Sequence, residues 1–184
     1  MLVAIAGAHG KIAMQLARLL ADGRDNVIGL IRNPDHAADV SGPGPGSGAK
    51  RKLTLDRDGA IKFLQAATQA GAPRFVIISA IGAEAPPPDH DVFSVYLRAK
   101  AEVDQAVQAS DRQWTIVRPG RLTDDPGTRR VRIGSAPFHG RIPRDDVAAV
   151  LAQLLPDDRF SHRVFYLNSG EDLIEQALER VLAS

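Results

Sequence analysis

The sequence predicts an α/β fold in three layers, with a doubly wound parallel sheet between two layers of helices. Short apolar runs alternate along the chain with longer segments of helical periodicity, as a parallel sheet with crossover helices requires. The apolar runs are continuous, which is typical of strands buried on both faces. The pattern is clearest at the start, where two such runs, residues 2–6 and 26–31, flank one amphipathic helix.

The remaining elements follow from the same signals. The first helix carries apolar residues at helical spacing and is predicted to stop at Asp22-Gly23. Further strands are predicted at residues 74–79, 114–120, near Val131 and at 164–168. Further helices are predicted over residues 57–71, 93–109, 145–155 and 171–182. Two segments rich in glycine and proline, 41–48 and 82–91, are predicted loops.

Composition narrows the class of protein. The chain has 184 residues, of which 44% are hydrophobic and 24% charged, and its net charge is +1. This composition predicts one globular domain, and its balanced charge favours neither nucleic acid nor a membrane as a partner. The first ten residues lack the pattern of a signal peptide and no apolar run is long enough for a membrane span, so we expect a cytoplasmic protein. No cysteine is present, and the histidines lack metal-ligand spacing, so no metal site is predicted. We expect a small-molecule substrate and a monomer or homodimer.

A glycine turn joins the first strand to the first helix. Gly7 and Gly10 stand three apart and Ala13 follows three later, in the stretch "IAGAHGKIA". Unpaired amides at a helix start carry partial positive charge, and glycines let a pyrophosphate approach them. The spacing inside a strand-helix-strand unit favours dinucleotide binding. The alternative is a plain strand-to-helix turn.

Cations near this turn bear on the cofactor. Arg32 follows the second strand, where a carboxylate would favour NAD, and Lys11 lies inside the turn. Two cations suit a ribose 2′-phosphate, so NADP is favoured over NAD. The alternative is that both are solvated surface residues. His9 also lies in the turn and is a possible cofactor contact.

Tyr96 and Lys100, in "YLRAK", share one face of a predicted helix because they stand four apart. Phe93 and Val103 continue the same stripe, which places Lys100 in an apolar face. A buried ammonium needs a partner, and the hydroxyls of a bound ribose would supply one. The ammonium would lower the pKa of the Tyr96 phenol from about 10 and suit it to donate a proton. Alternatively, Lys100 reaches past the stripe to solvent and Tyr96 is core.

These motifs, with "RFVIIS" and "WTIVRPG" in the same order, resemble the short-chain dehydrogenase/reductase superfamily. The similarity is greatest to its atypical NAD(P)H-binding branch, which includes NmrA-like and biliverdin-reductase-B-like proteins. The resemblance implies a single Rossmann domain over residues 1–184, with a small substrate-side portion from about residue 120 onward. It implies catalytic roles for Ser79, Tyr96 and Lys100. The expected cofactor contacts are Gly7, His9, Gly10, Lys11, Ile12, Arg32, Ser79, Lys100, Pro119 and Gly120.

The sequence departs from the family pattern in two places. Ala80 follows Ser79 where many relatives carry a second hydroxyl residue, so Ser79 could instead be a strand-end serine satisfied by backbone. The family also places two strands and a helix between the second strand and the helix near Arg57. By comparison with the family, about 30 residues are missing, and the expected position of the missing segment is near Val40-Ser41. A mid-sheet strand is hard to lose, because its neighbours would keep unpaired buried backbone groups.

Two functions remain open at this point. The first is an NADP-linked oxidoreductase that reduces a carbonyl or a related unsaturated group. The second is a sensor or regulatory protein that binds NAD(P)H without turnover, as in some NmrA-like relatives. The residue Ala80 and the short substrate-side portion favour the second.

Overall fold

The computed structural model describes residues 1–7, 10–30 and 57–183, apart from the side chain of residue 30. Within them the helices are α1 (Lys11–Asp22), α2 (Ala60–Gln69), α3 (Val92–Gln108), α4 (Arg144–Leu154) and α5 (Ile174–Leu182). The strands are β1 (Leu2–Ala6), β2 (Asn26–Leu30), β3 (Arg74–Ile78), β4 (Gln113–Pro119), β5 (Arg121–Thr123), β6 (Arg130–Gly134), β7 (Arg141–Pro143), β8 (Arg163–Ser169) and β9 (Asp172–Leu173).

The main sheet of the described residues has the strand order β3-β4-β8-β6-β9. β3, β4 and β8 are parallel to one another, whereas β6 and β9 add an antiparallel edge. β1 and β2 form a separate parallel pair, and β5 pairs in parallel with β7. The parallel strands with crossover helices are those of the predicted α/β fold.

Helices cover the main sheet on both faces. α1, α4 and α5 pack in one cluster of buried residues that includes Val117 of β4 and Leu167 of β8. α2 and α3 pack in a second cluster around Phe75 of β3 and Ile116 of β4. Because neighbouring residues of a strand point to opposite faces, Ile116 and Val117 enter different clusters. The fold is therefore the three-layered arrangement that the sequence predicts.

The predicted elements lie close to the observed ones. α2 begins three residues later than expected, after a turn of π-helix at residues 57–59, and Gly71 follows it at φ 70°. α5 also begins three residues later than expected, because β9 occupies Asp172 and Leu173 and pairs with β6. The short strands β5, β7 and β9 are not in the prediction.

The expectation that β1 and β2 are buried on both faces is wrong in the described structure. Leu2 is 68% exposed and Ile28 49% exposed, whereas Ile5 is buried. Val3, Ile5 and Val27 face the cluster that contains α1. α2 and α3, the helices on the other side of the sheet, pack over β3 and β4 instead. Only one face of the β1-β2 pair is therefore packed by described helices.

The predicted loop at residues 41–48 and the predicted break near Val40-Ser41 lie outside the described residues. Within the described residues, β1 pairs with β2 alone. The predicted loop at residues 82–91 contains turns and bends but no helix or strand.

Candidate functional site

Several predicted site residues follow the carboxyl ends of parallel strands. Gly7 follows β1, Ser79 follows β3 and Gly120 follows β4. The hydrogen bonding between β3 and β4 continues beyond the end of β3. The Ser79 amide donates to the Val117 carbonyl at 2.7 Å, and the Ile81 amide donates to the Pro119 carbonyl at 3.2 Å. In open α/β sheets, ligands bind at this edge. The edge of β3 and β4 is thus a rigid support for a site.

The start of α1 follows the glycine turn, whose described residues, Gly7 and Gly10, carry no side chain that could cap the helix. Gly7 has a φ of 71°, a region that glycine adopts without strain, and the Gly10 amide donates to the Gly7 carbonyl at 2.8 Å. Gly10 is the N-cap of this 12-residue helix, and among the described residues no side chain caps its first turn. Uncapped amides beside residues without a Cβ fit the pyrophosphate of a dinucleotide.

Lys11 and Ile12 open this helix in different environments. The Lys11 side chain is 63% exposed, and its Nζ donates to Asp124 Oδ2 at 2.6 Å. Arg144 donates to the other oxygen of Asp124, also at 2.6 Å. Ile12 packs against the core. Asp124 is therefore the partner of the cation that the sequence suggested for a 2′-phosphate.

A cleft of about 270 Å³ lies between the start of α1, the residues after β5 and the start of α4. Its lining carries both signs of charge, with Arg18 and Arg144 near Asp125 and Asp145. Thr123 also lines this cleft, and its hydroxyl is buried without a hydrogen-bond partner among the described residues. Lys11 lines this cleft and directly follows Gly10, so the cleft lies next to the glycine turn.

Tyr96 and Lys100 lie on one face of α3, as their spacing predicts. The Lys100 ammonium donates to the carbonyl of Ile78, the last residue of β3, at 3.1 Å. It also lies 5.7 Å from the centre of the Tyr96 ring, within the range of a cation–π contact. Both side chains are partly buried. Lys100 thus contacts the carboxyl end of β3, and the Tyr96 ring lies beside Lys100.

The apolar stripe around this pair is buried only in its second half. Val103 and Val107 are buried, but Phe93 is 63% exposed. The Phe93 ring lies 6.0 Å from the Tyr96 ring. The expectation that the whole stripe faces the core is therefore wrong at the start of α3, where the helix follows the irregular segment of residues 82–91 and Phe93 stays exposed. Arg98 holds that loop by donating to the carbonyls of Pro87 and Asp89, at 2.6 and 2.7 Å.

A buried polar network connects the end of β3 with α3, β4 and β8. The Ser79 hydroxyl is buried and donates to Asp104 Oδ2 at 2.8 Å. Arg118 donates to the same oxygen through Nε at 3.1 Å and Nη2 at 2.9 Å, and to the Tyr166 hydroxyl at 2.8 Å. Its Nη1 also approaches Glu84 at 3.5 Å. Asp104 Oδ1 is buried and has no hydrogen-bond partner in the part of the chain that the structure describes.

Burial and charge act in opposite directions on this network. Burial raises the pKa of the Asp104 carboxyl above its ordinary value, and the hydrogen bonds of Ser79 and Arg118 only partly offset this shift. The charges of Arg118 and Lys100 also favour the ionised carboxylate. Burial alone would lower the pKa of Arg118. The contacts with Asp104 and Tyr166 raise this pKa by more than burial lowers it, so the net shift is upward.

Gly120 is held by close packing. A Cβ on Gly120 would lie 2.1 Å from Asn168 Oδ1 and 2.5 Å from the Gly140 carbonyl oxygen, so no other residue fits without a shift. Asn168 is buried and donates to the Phe138 carbonyl at 2.9 Å. The glycine of "RPG" thus allows the chain after β4 to approach β8, and Asn168 was not singled out from the sequence.

The structure brings Ser79, Tyr96, Lys100, Pro119 and Gly120 to the ends of β3 and β4. Gly7, Gly10, Lys11 and Ile12 lie at the junction of β1 and α1. His9 and Arg32 lie outside the described residues. The sequence interpretation missed Asp104, Arg118 and Tyr166. The available signal was Arg118, a charged residue inside the apolar strand "TIVRP", which needs a buried partner.

Two further findings hold for the described part of the chain. It contains no group of three or more His, Cys, Asp or Glu side chains arranged to hold a metal ion. Nor does any helix in those residues have the length and apolar character needed to cross a membrane.

Parallel strands with helices on both faces of the sheet, and a glycine turn between the first strand and the first helix, are the features of a Rossmann-type fold. Residues 44–158, more than half of the chain, match the family model described as NAD(P)H-binding, and the chain belongs to this family. The matched range begins after the glycine turn and includes Ser79, Tyr96, Lys100 and Gly120. The resemblance to the NAD(P)H-binding branch is thereby confirmed.

A relative in Bacillus subtilis, an uncharacterized sugar epimerase called YhfK, is 29% identical over 98% of this chain and 100% of its own length. That alignment runs over 214 positions, more than the 184 residues of the chain, so the relative carries residues that this chain lacks.

Solved structures show the same fold. A candidate NAD-dependent epimerase/dehydratase of Bacillus halodurans is 27% identical, with a TM-score of 0.89 over 98% of this chain and 99% of that chain. The oxidoreductase ylbE of Lactococcus lactis is 25% identical, with a TM-score of 0.83 over 100% of this chain and 98% of that chain.

Proposed function

We propose that this protein is an NAD(P)H-dependent oxidoreductase that reduces a carbonyl or a related unsaturated group of a small molecule. The observation that carries the proposal is the position of Lys100. Its ammonium is bound to the last carbonyl of β3 and faces the Tyr96 ring at 5.7 Å. A cation and a phenol at the carboxyl edge of a dinucleotide-binding sheet are the groups that carbonyl reduction needs.

The residues divide into binding and proton-transfer roles. The amides at the start of α1, with Gly7 and Gly10, would hold the pyrophosphate. Lys100 would donate hydrogen bonds to the nicotinamide ribose, and Pro119 and Gly120 would border the nicotinamide. The family match and the oxidoreductase name of the L. lactis structure support a nicotinamide-dependent reaction.

The chemistry balances with groups of this chain and the cofactor. The reduced nicotinamide supplies a hydride when bound. Tyr96 donates its phenolic proton to the carbonyl oxygen as the carbon–oxygen π bond breaks, and the product is an alcohol. The resulting phenolate is stabilised by the Lys100 ammonium and regains a proton from solvent.

NADP is the proposed cofactor, with NAD as the alternative. The support is Arg32, which directly follows Ile31 at the end of the predicted second strand. A guanidinium at this position can form two parallel hydrogen bonds with a ribose 2′-phosphate. Lys11 supports the proposal less, since its ammonium is paired with Asp124 at 2.6 Å.

The second candidate is an NAD(P)H-binding sensor without turnover. Ser79 favours it, because this hydroxyl is buried and donates to Asp104 instead of facing an open site. Ala80 offers no hydroxyl in its place. The name of the B. subtilis relative adds sugars to the substrates worth testing.

The test is NADPH oxidation by the purified protein with a panel of aldehydes, ketones, quinones and oxidised sugars. We expect turnover with at least one compound, and Tyr96→Phe should reduce kcat by about 100-fold or more because the proton donor is lost. Calorimetry should show that Tyr96→Phe still binds NADPH, which separates chemistry from binding.

NADPH binding without oxidation of any compound would support the sensor instead. Turnover that survives Tyr96→Phe would remove Tyr96 from the mechanism.

A further inference from the structure

Two contacts, one helical turn apart, fasten α3 to the end of β3. Lys100 Nζ donates to the Ile78 carbonyl at 3.1 Å, and Ser79 Oγ donates to Asp104 Oδ2 at 2.8 Å. Ile78 and Ser79 are neighbours in sequence, and Lys100 and Asp104 stand four apart on one helix face. The position of Lys100 relative to the sheet therefore depends on both contacts.

The donors around Asp104 settle the orientation of Ser79. Asp104 Oδ2 receives hydrogen bonds from the Ser79 hydroxyl and from two nitrogens of Arg118. An ionised carboxylate only accepts hydrogen bonds, and a serine hydroxyl has one hydrogen to give. Ser79 gives that hydrogen to Asp104 and is 2% exposed. It is thus not poised to donate to a substrate carbonyl.

Charge links the same carboxylate to the lysine. The positive charges of Arg118 and Lys100 both act on Asp104, which is 2% exposed. Of the two, Arg118 has the larger effect, and water screens both charges less at a buried carboxylate than at an exposed one. Asp104 and the Ile78 carbonyl therefore both attract the Lys100 ammonium.

We propose that Asp104 is a positioning residue, which fixes Lys100 and through it Tyr96, with Ser79 as a link in this network and not as a group that contacts substrate. The proposal rests on the proposed function for the roles of Tyr96 and Lys100. It moves Ser79 from the catalytic set that the family resemblance implies to the supporting network.

The first test needs no substrate. The chain has two tyrosines, so tyrosine labelled with ¹³C at Cζ gives two resonances, and Tyr96→Phe assigns them. Asp104→Asn keeps the shape of the side chain but removes its charge. We expect the Tyr96 resonance to move in this variant, because Lys100 loses an attraction and shifts relative to the Tyr96 ring.

Asp146→Asn is the matched control. Asp146 is 1% exposed and accepts hydrogen bonds from the amides of Thr128 and Arg129, at 3.0 and 2.8 Å, so it is a buried carboxylate in another network. We expect the Tyr96 resonance to stay in place in Asp146→Asn. An unmoved Tyr96 resonance in folded Asp104→Asn, or equal movement in both variants, overturns the proposal.

The second test separates the two roles of Ser79 and holds even if Asp104→Asn does not fold. Ser79→Ala should keep kcat within about tenfold of the unsubstituted protein, whereas a lost catalytic donor costs about 100-fold or more. A loss as large as that of Tyr96→Phe would return Ser79 to the catalytic set and overturn the proposal. If no compound is turned over, the proposed function fails while the resonance test still decides the role of Asp104.

Discussion

At the scale of single residues, the Arg118-Asp104 pair shows how a charge is accommodated inside this sheet. The Arg118 side chain is 8% exposed and the Asp104 side chain 2% exposed. A buried ion pair tolerates desolvation only when its partners are in place. Ser79, Tyr166 and Glu84 complete the network around the two charges.

Arg118→Met tests this dependence. We expect the free energy of unfolding at neutral pH to fall by about 3–5 kcal/mol, because Asp104 remains as an uncompensated buried charge. Urea unfolding measures the loss. The control is Arg163→Met, which should change the free energy of unfolding little, because Arg163 is an exposed arginine at the start of β8.

The same variant has a defined pH dependence. Burial already raises the pKa of Asp104 in the folded protein, and removal of Arg118 raises it further. As the pH falls below that raised pKa, the carboxyl becomes neutral and the penalty disappears. The loss of stability should therefore be smaller near pH 4.5 than at pH 7, and an equal loss at both would contradict the buried-charge explanation.

Residue-level prediction from the sequence succeeded where spacing along one element decides the geometry. Tyr96 and Lys100 share a face because they stand four apart on α3. It failed for Asp104, because its partners Arg118 and Tyr166 come from β4 and β8. Contacts between distant elements leave no local pattern.

At the scale of elements, apolar runs and turn residues predicted the longer helices and strands well. α1 ends at Asp22 with Gly23 as its C-cap, as expected. β5 and β7 have three residues each and β9 two, too few to show any periodicity. β5 pairs with β7 and β9 with β6, so each short strand depends on a partner distant in sequence.

The residue after the second strand should set the choice of cofactor. We expect tighter binding of NADPH than of NADH, and Arg32→Ala should remove about 1–3 kcal/mol of this preference, the worth of a charge-assisted contact. Calorimetric titration of both cofactors measures it, with Arg163→Ala as a matched arginine control. An unchanged preference in Arg32→Ala would assign the selectivity to another residue.

At the scale of the whole molecule, the order of the motifs predicted the α/β class and the family. It did not predict how the strands are divided among separate sheets. The described strands form a five-stranded sheet and two pairs. A continuous apolar run shows that a strand can be buried on both faces, but only the placement of helices decides it. Leu2 and Ile28 are exposed because α2 and α3 pack elsewhere.

The central claim is that the start of α1 binds a nicotinamide dinucleotide, and Gly10 offers the sharpest variant. Its φ of −65° and ψ of 143° are open to any residue, so Gly10→Val should fold while its side chain blocks the pyrophosphate. Gly23→Ala, at the other end of the same helix, is the control, since its Cβ would come no closer than 3.4 Å to its neighbours.

The most direct measurement is a calorimetric titration of NADPH into the protein and these two variants. The account predicts one binding site in the protein and in Gly23→Ala, and affinity at least about tenfold weaker in Gly10→Val. Absence of NADPH binding to the unsubstituted protein, or equal affinity in Gly10→Val, would contradict it.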